Sequence, residues 1–239
     1  MEIIAELPPQ RSLDKLISLS KALSSVADAI DVPDAPMGRP APSSAIISAV
    51  LRSLLFPPPE VIAHVRLLDV SELGAVNIAK ALELAGVRRL LLLRGDRPAV
   101  GDPCFKEPEK VMGLIRSDRV NIRLGLLLSL ARPIEEVMRR VAAGADFYLV
   151  TRPWRSPNLK RVASEVRRLG GRTYVYLVVE THRNAHALVG VPQDERVRGN
   201  ELAEAIKSLS GVVDGVVISS PGDKEALVES LRAARAVTG

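Results

Sequence analysis

Acids, a histidine and arginines recur at the ends of short aliphatic runs. Glu6 closes the run Glu2–Glu6, and Asp31 and Asp34 lie in and just after Ala29–Val32. His64 and Arg66 lie within Val61–Leu67, and Arg94 and Asp96 follow Arg89–Leu93. Arg152 follows Phe147–Thr151, Glu180 follows Thr173–Val179, and Ser219 ends Gly215–Ser219. A carboxyl group at such a position can serve as a general acid once burial lifts its pKa toward neutrality. Arginines nearby can hold a phosphate or carboxylate through paired hydrogen bonds. His182 and His186 stand four apart, a metal-ligand spacing on a helix, but their segment lacks a helical pattern and a third ligand, so no metal is expected. Gly222 in Ser219-Ser-Pro-Gly-Asp223 could form a phosphate nest, although Pro221 removes one donor. Trp154 reads equally as a stacking platform or a packing anchor.

These positions need a scaffold that brings many strand ends together. Strand-like runs alternate with amphipathic segments along the chain. The expected strands are 2–6, 29–32, 61–67, 89–93, 121–128, 147–151, 173–179 and 215–219. The first expected helix follows Pro8-Pro9 and places Leu13, Leu16, Ile17 and Leu23 on one face. Further helices are expected over 43–55, 71–85, 108–117, 133–143, 157–169, 200–209 and 224–237, several stopped by glycine. Eight βα units with short returns predict an α/β fold, a (β/α)8 TIM barrel forming a single domain over 1–239. An open doubly wound sheet fits less well, because Pro8-Pro9 stands where such folds more often carry a glycine-rich turn. The loops after the strands are the long, polar ones, among them Gly95–Lys106. In a barrel of this kind the site lies at that end.

Composition narrows the classes. The chain has 239 residues, 47% hydrophobic and 26% charged, enough for a large core. Aromatics are only 3%, so that core is aliphatic. The net charge is +5 and the pI about 9.6, but the basic residues are scattered without a run, so an anionic small molecule is expected rather than nucleic acid. Eight lysines against 25 arginines, with 17 prolines and one cysteine, fit a thermophile. Cys104 alone excludes an intramolecular disulfide. No leader and no membrane-spanning run is read, so a cytoplasmic protein is expected.

Several segments resemble, in order, the flavin-dependent methylenetetrahydrofolate reductases, nearest to the reductase half of bacterial bifunctional homocysteine methyltransferase/reductases. Leu93-Arg-Gly-Asp96 with Pro98 is similar to the family's Gly-Asp-x-Pro element. Glu6-Leu-Pro-Pro9 resembles its Glu-x-x-Pro-Pro start, and Asp31-Val-Pro-Asp-Ala-Pro36 its Asp-Asn-Pro loop. His64 stands at the family's His-Leu-Thr, Arg139-Arg140 at its basic pair before Gly-Ala, and Arg183-Asn-Ala185 with Val191-Pro192 at its loop after strand seven. The resemblance covers residues 2–200. It implies an oxidoreductase of one-carbon metabolism that passes hydride from NAD(P)H through FAD to a methylene-tetrahydrofolate or related pterin. It implies FAD contacts from His64, Arg94, Gly95, Asp96, Arg139 and Arg140, catalytic roles for Glu6 and Asp96, and substrate contacts from Asp96, Arg152 and Glu180. The C1 carrier, the electron donor, and any homo-oligomer or partner subunit stay open.

The chain departs from that pattern at its first strand. The family's acid stands three residues before the first proline, whereas Glu6 stands two before Pro8 and Ala5 takes the family register. One residue on a strand reverses the face. Glu6 is expected to point into the mouth, with Glu180 the nearest substitute if it does not. Thr-Gln after strand six becomes Thr151-Arg152. Two other functions therefore stand beside the reductase: a flavin-free barrel enzyme acting on a phosphorylated or carboxylated metabolite, and a non-catalytic homologue that binds a folate or a partner.

Overall fold

The computed structural model describes residues 1–104 and 107–238; Phe105 and Lys106, in the expected long loop, lie outside the described residues. The chain runs β1 (Glu2–Glu6), α1 (Leu13–Ser24), β2 (Ala29–Val32), α2 (Ser44–Leu54), β3 (Val61–Arg66), α3 (Glu72–Leu84), β4 (Arg89–Leu93) and α4 (Pro108–Ser117). It continues through β5 (Arg123–Ser129), α5 (Ile134–Val141), β6 (Phe147–Thr151), α6 (Leu159–Arg168) and β7 (Arg172–Glu180). A short β8 (Arg196–Arg198), α7 (Leu202–Leu209), β9 (Gly215–Ser219) and α8 (Lys224–Thr238) complete it. Strands β1 to β7 pair in chain order, and β9 joins β7 to β1, all in parallel. The ring is closed: this is a (β/α)8 barrel. The extra strand β8 pairs with the upper end of β7, Val178 to Glu180, where β6 no longer reaches.

Alternation along the strands separates two cores. One set of residues, such as Ile3, Ala5, Ile30, Ala63 and Leu92, packs under the helices in a single aliphatic cluster. The opposite set, Ile4, Ala29, Ile62, Leu91, Leu149 and Val217, fills the barrel axis. Each such fully buried large aliphatic side chain contributes about 1.5–3 kcal/mol. The axis is plugged below by Phe147 and Tyr174, ring centroids 5.9 Å apart, and by Arg89, whose Nη1 meets Glu2 at 2.6 Å across the interior. Phe147 fits there because Gly125 faces it: a β-carbon on Gly125 would lie 2.2 Å from the ring.

The helices start where their sequences supply caps. Ser12 accepts from the Lys15 amide and Ser71 from the Gly74 amide. Ser44 opens α2, donating to the Val32 carbonyl at 2.7 Å and accepting from the His64 amide at 2.9 Å. That one hydroxyl fixes α2 against the ends of β2 and β3. No helix among the described residues is long and apolar enough to cross a membrane.

Candidate active site at the barrel mouth

The register decides where Glu6 points. Ile4 lies in the axial cluster and Ala5 in the outer one, so period-two alternation turns Glu6 inward above Ile4. The same step places Asp31 above Ala29, His64 above Ile62, Tyr176 above Tyr174 and Ser219 above Val217. Five strands thus send polar side chains into one side of the mouth. On the other side β4 and β5 send Leu93 and Leu127, both half-buried against the axial cluster, with Ser129 and Thr151 at the lip.

The polar side is one hydrogen-bonded group. Ser219 Oγ donates to Glu6 Oε1 at 3.0 Å. Tyr176 Oη donates to Asp31 Oδ2 at 2.5 Å, and His64 Nε2 meets Asp31 Oδ1 at 2.6 Å. The Tyr176 hydroxyl also lies close enough to Glu6 for the two groups to influence each other's titration. Asp31 is fully buried, and both of its oxygens are occupied.

The electrostatics follow from that packing. Burial and then the charge of Asp31 raise the Glu6 carboxyl to about 7, against opposing hydrogen bonds from Ser219 and Tyr176 and the charge of His64. Burial pulls the His64 imidazole down, but Asp31, by charge and hydrogen bond, with Glu6 and Asp34, outweighs it and raises the pKa. Burial, then the charges of Asp31 and Glu6, push the Tyr176 phenol well above its ordinary value. The mouth thus pairs a histidine whose protonated form is favoured with Asp31, beside a Glu6 carboxyl poised near neutrality to gain or lose a proton.

Other residues singled out in the sequence lie elsewhere. Arg66 is buried and serves the loops: Nε meets Asp69 at 2.6 Å, Nη2 the Asp96 carbonyl at 2.8 Å, and Nη1 the Ala35 carbonyl at 3.3 Å. Gly95, at φ +81°, runs close beside that guanidinium: a β-carbon there would lie 2.8 Å from Nη1. Its freedom serves Arg66 rather than a planar cofactor ring. Arg94 and Asp96 are exposed on the loop after β4. Arg139 and Arg140 sit in the last turn of α5, in the outer layer. Arg139 is exposed, and Arg140 meets Glu109 at 2.6 Å and the Leu127 carbonyl at 3.1 Å. Arg152 donates to the Gly190 carbonyl at 3.3 Å and lies 3.6 Å from Glu195, tying together the loops after β6 and β7. Glu180 is held by Arg196 at 2.5 Å. Gly222 adjoins Asp223, whose own carboxylate accepts from the Ala226 amide and from Thr181, filling the start of α8 where a phosphate would bind. His182 and His186 are exposed, and no metal-holding cluster occurs among the described residues.

Of the named candidates, then, the structure gathers Glu6 and His64 with Asp31 and Ser219, and leaves Asp96, Arg94, Arg139, Arg140, Arg152 and Glu180 outside that group. Sequence reasoning misses Tyr176. Its only signal is alternation with Tyr174, which a run reading Tyr174-Val-Tyr-Leu177 hides as ordinary core.

No protein-family model matches the chain, and no curated protein matches it. Solved structures do. KGPDC from Streptococcus mutans matches with a TM-score of 0.60 at 16% identity, covering 99% of this chain and 96% of that one. A mutant tryptophan synthase alpha-subunit from the hyperthermophile Pyrococcus furiosus matches at 0.63 and 13%, covering 100% and 98%. Tryptophan synthase from Mycobacterium tuberculosis matches at 0.59 and 17%, covering 100% and 90%. The shared feature is the barrel. These neighbours correct the reductase reading: they are KGPDC and tryptophan synthase barrels, not methylenetetrahydrofolate reductases, and no family match supports the latter. The expectations of an oxidoreductase, of FAD, and of a folate reductase activity fall with it. The geometry agrees. His64 is committed to Asp31 and Arg140 to Glu109, and Arg139 stands on an exposed helix face, so the residues assigned to a flavin do not converge.

Proposed function

We propose that the chain is a flavin-free barrel enzyme that moves a proton to or from a carbon beside a carbonyl group, on a small phosphorylated or carboxylated metabolite. The observation that carries this is Glu6, a mouth-facing carboxyl bound to Ser219 and raised to about 7. A group titrating near the working pH is the efficient one for proton transfer. His64, held by Asp31 with its protonated form favoured, can supply positive charge near an oxyanion developing on the same substrate. The anionic end of the substrate fits the arginines on the loops above, Arg94, Arg97 and Arg152, all exposed after β4 and β6. The loop after β9 is the poorer place for it, since Asp223 repels an anion there. Leu93 and Leu127 offer a dry wall for the carbon skeleton. A solved neighbour of the same fold, KGPDC, is a keto-gulonate-phosphate decarboxylase, which is in keeping with this substrate class.

A thermal-stability screen tests the reading. Sugar phosphates, small 2-oxo acids and their uncharged analogues are added to the protein in turn. A true ligand at a hundred times its Kd stabilises by about 2.7 kcal/mol, a clear rise in Tm. Stabilisation by a charged member and not by its uncharged analogue supports the proposal. No rise with any anionic member, alongside a rise with FAD, contradicts it.

A further inference from the structure

The mouth contains two carboxyl groups and one phenol between them. Ser219 donates to Glu6 Oε1, which marks that oxygen as the acceptor and leaves Oε2 to carry the proton of the neutral acid. The Tyr176 hydroxyl donates to Asp31, which accepts from His64 on its other oxygen. When Glu6 is ionised, the nearby Tyr176 hydroxyl has a second carboxylate to serve. It has one hydrogen and cannot serve both fully.

We propose that Tyr176 is a positioning residue that couples Glu6 to Asp31, its hydroxyl turning from Asp31 to Glu6 as Glu6 gives up its proton, with His64 holding the other oxygen of Asp31 throughout. This rests on the acid–base reading of the mouth and adds its control. The balance is simple. Glu6 transfers one proton to the substrate and becomes a carboxylate. Tyr176 keeps its proton and only changes acceptor. Asp31, having lost that donor, retains His64. The groups facing Glu6 are Asp31 on β2, His64 on β3, Tyr176 on β7 and Ser219 on β9, with Asp34 beyond β2 acting on His64. Packing alone assigns Tyr176 no such part, because a phenylalanine would fill the same space beside Tyr174.

Carboxyl titration by ¹³C NMR reads this directly and needs no substrate. Glu-labelled protein gives the Glu6 signal by its disappearance in Glu6→Gln. In Tyr176→Phe the Glu6 titration moves upward by about one pH unit or more, the worth of one lost hydrogen bond to a charged group. In Asp31→Asn it moves downward, because the repelling charge is gone, and the His64 ring titration falls with it. A Glu6 midpoint unmoved in Tyr176→Phe overturns the proposal. So does one unmoved in Asp31→Asn, which keeps the test decisive if the tyrosine variant fails to fold. Shifts as expected in a protein that turns over no carbonyl metabolite support the coupling and overturn only the functional reading. Unmoved titrations overturn the coupling whatever the turnover.

Discussion

At the scale of residues, the chemistry lies in a carboxyl kept protonated by its surroundings. Glu6 binds its proton more tightly folded, near 7, than unfolded, at 4.5. Between those values the native state holds the extra proton, so stability from this group is full below about 4.5 and is lost as pH rises through 7. Glu6→Gln removes the loss. The variant is expected to melt close to the parent at pH 5 and clearly above it at pH 8, the difference reaching about 3 kcal/mol at most. Thermal melts of both proteins across that range check it; parallel curves would mean Glu6 is an ordinary surface carboxylate. Position at the end of an aliphatic run is enough to nominate Glu6, Asp31, His64 and Ser219 from sequence. Their pairing is not legible there, because Asp31 and His64 meet across strands 33 residues apart, and Tyr176 and Asp31 across 145.

At the scale of elements, the loops over the mouth are held by a few contacts that local sequence conceals. Arg66 stands inside a buried strand and reads as a mouth charge, yet it anchors the loops after β2, β3 and β4. Gly38, at φ +71°, packs against the backbone of the loop after β4: a β-carbon there would lie 2.1 Å from the Arg97 carbonyl oxygen. Gly38→Ala is expected to cost about 1–3 kcal/mol, since both the left-handed backbone and the contact resist a side chain. Because the contact is with backbone, it should also loosen hydrogen-exchange protection at the Ala99 amide, which donates to the Gly38 carbonyl at 2.9 Å. Unchanged protection and melting would show that the two loops are independent. The eight barrel strands and their helices are legible from apolar periodicity to within a residue or two. Strand β8 is not, because Arg196-Val-Arg198 is a strand only through its pairing with β7.

At the scale of the whole molecule, the barrel is a tube with an aliphatic middle, a charged plug below and an acid–base group above. The plug joins β1 to β4 through Glu2 and Arg89, the arginine being 4% exposed. Glu2→Gln leaves that buried charge unpaired and should cost about 3–5 kcal/mol, whereas Glu2→Gln with Arg89→Met should recover most of it. Urea unfolding of the parent and both variants decides this, and additive losses would mean the pair is not a closure device. Proton transfer by Glu6 at substrate carbon can be read from solvent-deuterium incorporation. The protein is incubated in D₂O with small phosphorylated and carboxylated carbonyl compounds, and label at the carbon beside the carbonyl is followed by NMR. The parent is expected to label at least one of them, with a rate that inflects near pH 7, where Glu6 titrates. That rate should fall by about 10²–10⁴ in Glu6→Gln. Labelling that proceeds equally fast in Glu6→Gln, or none by the parent with a compound that binds and stabilises it, would exclude Glu6 as the proton-transfer group.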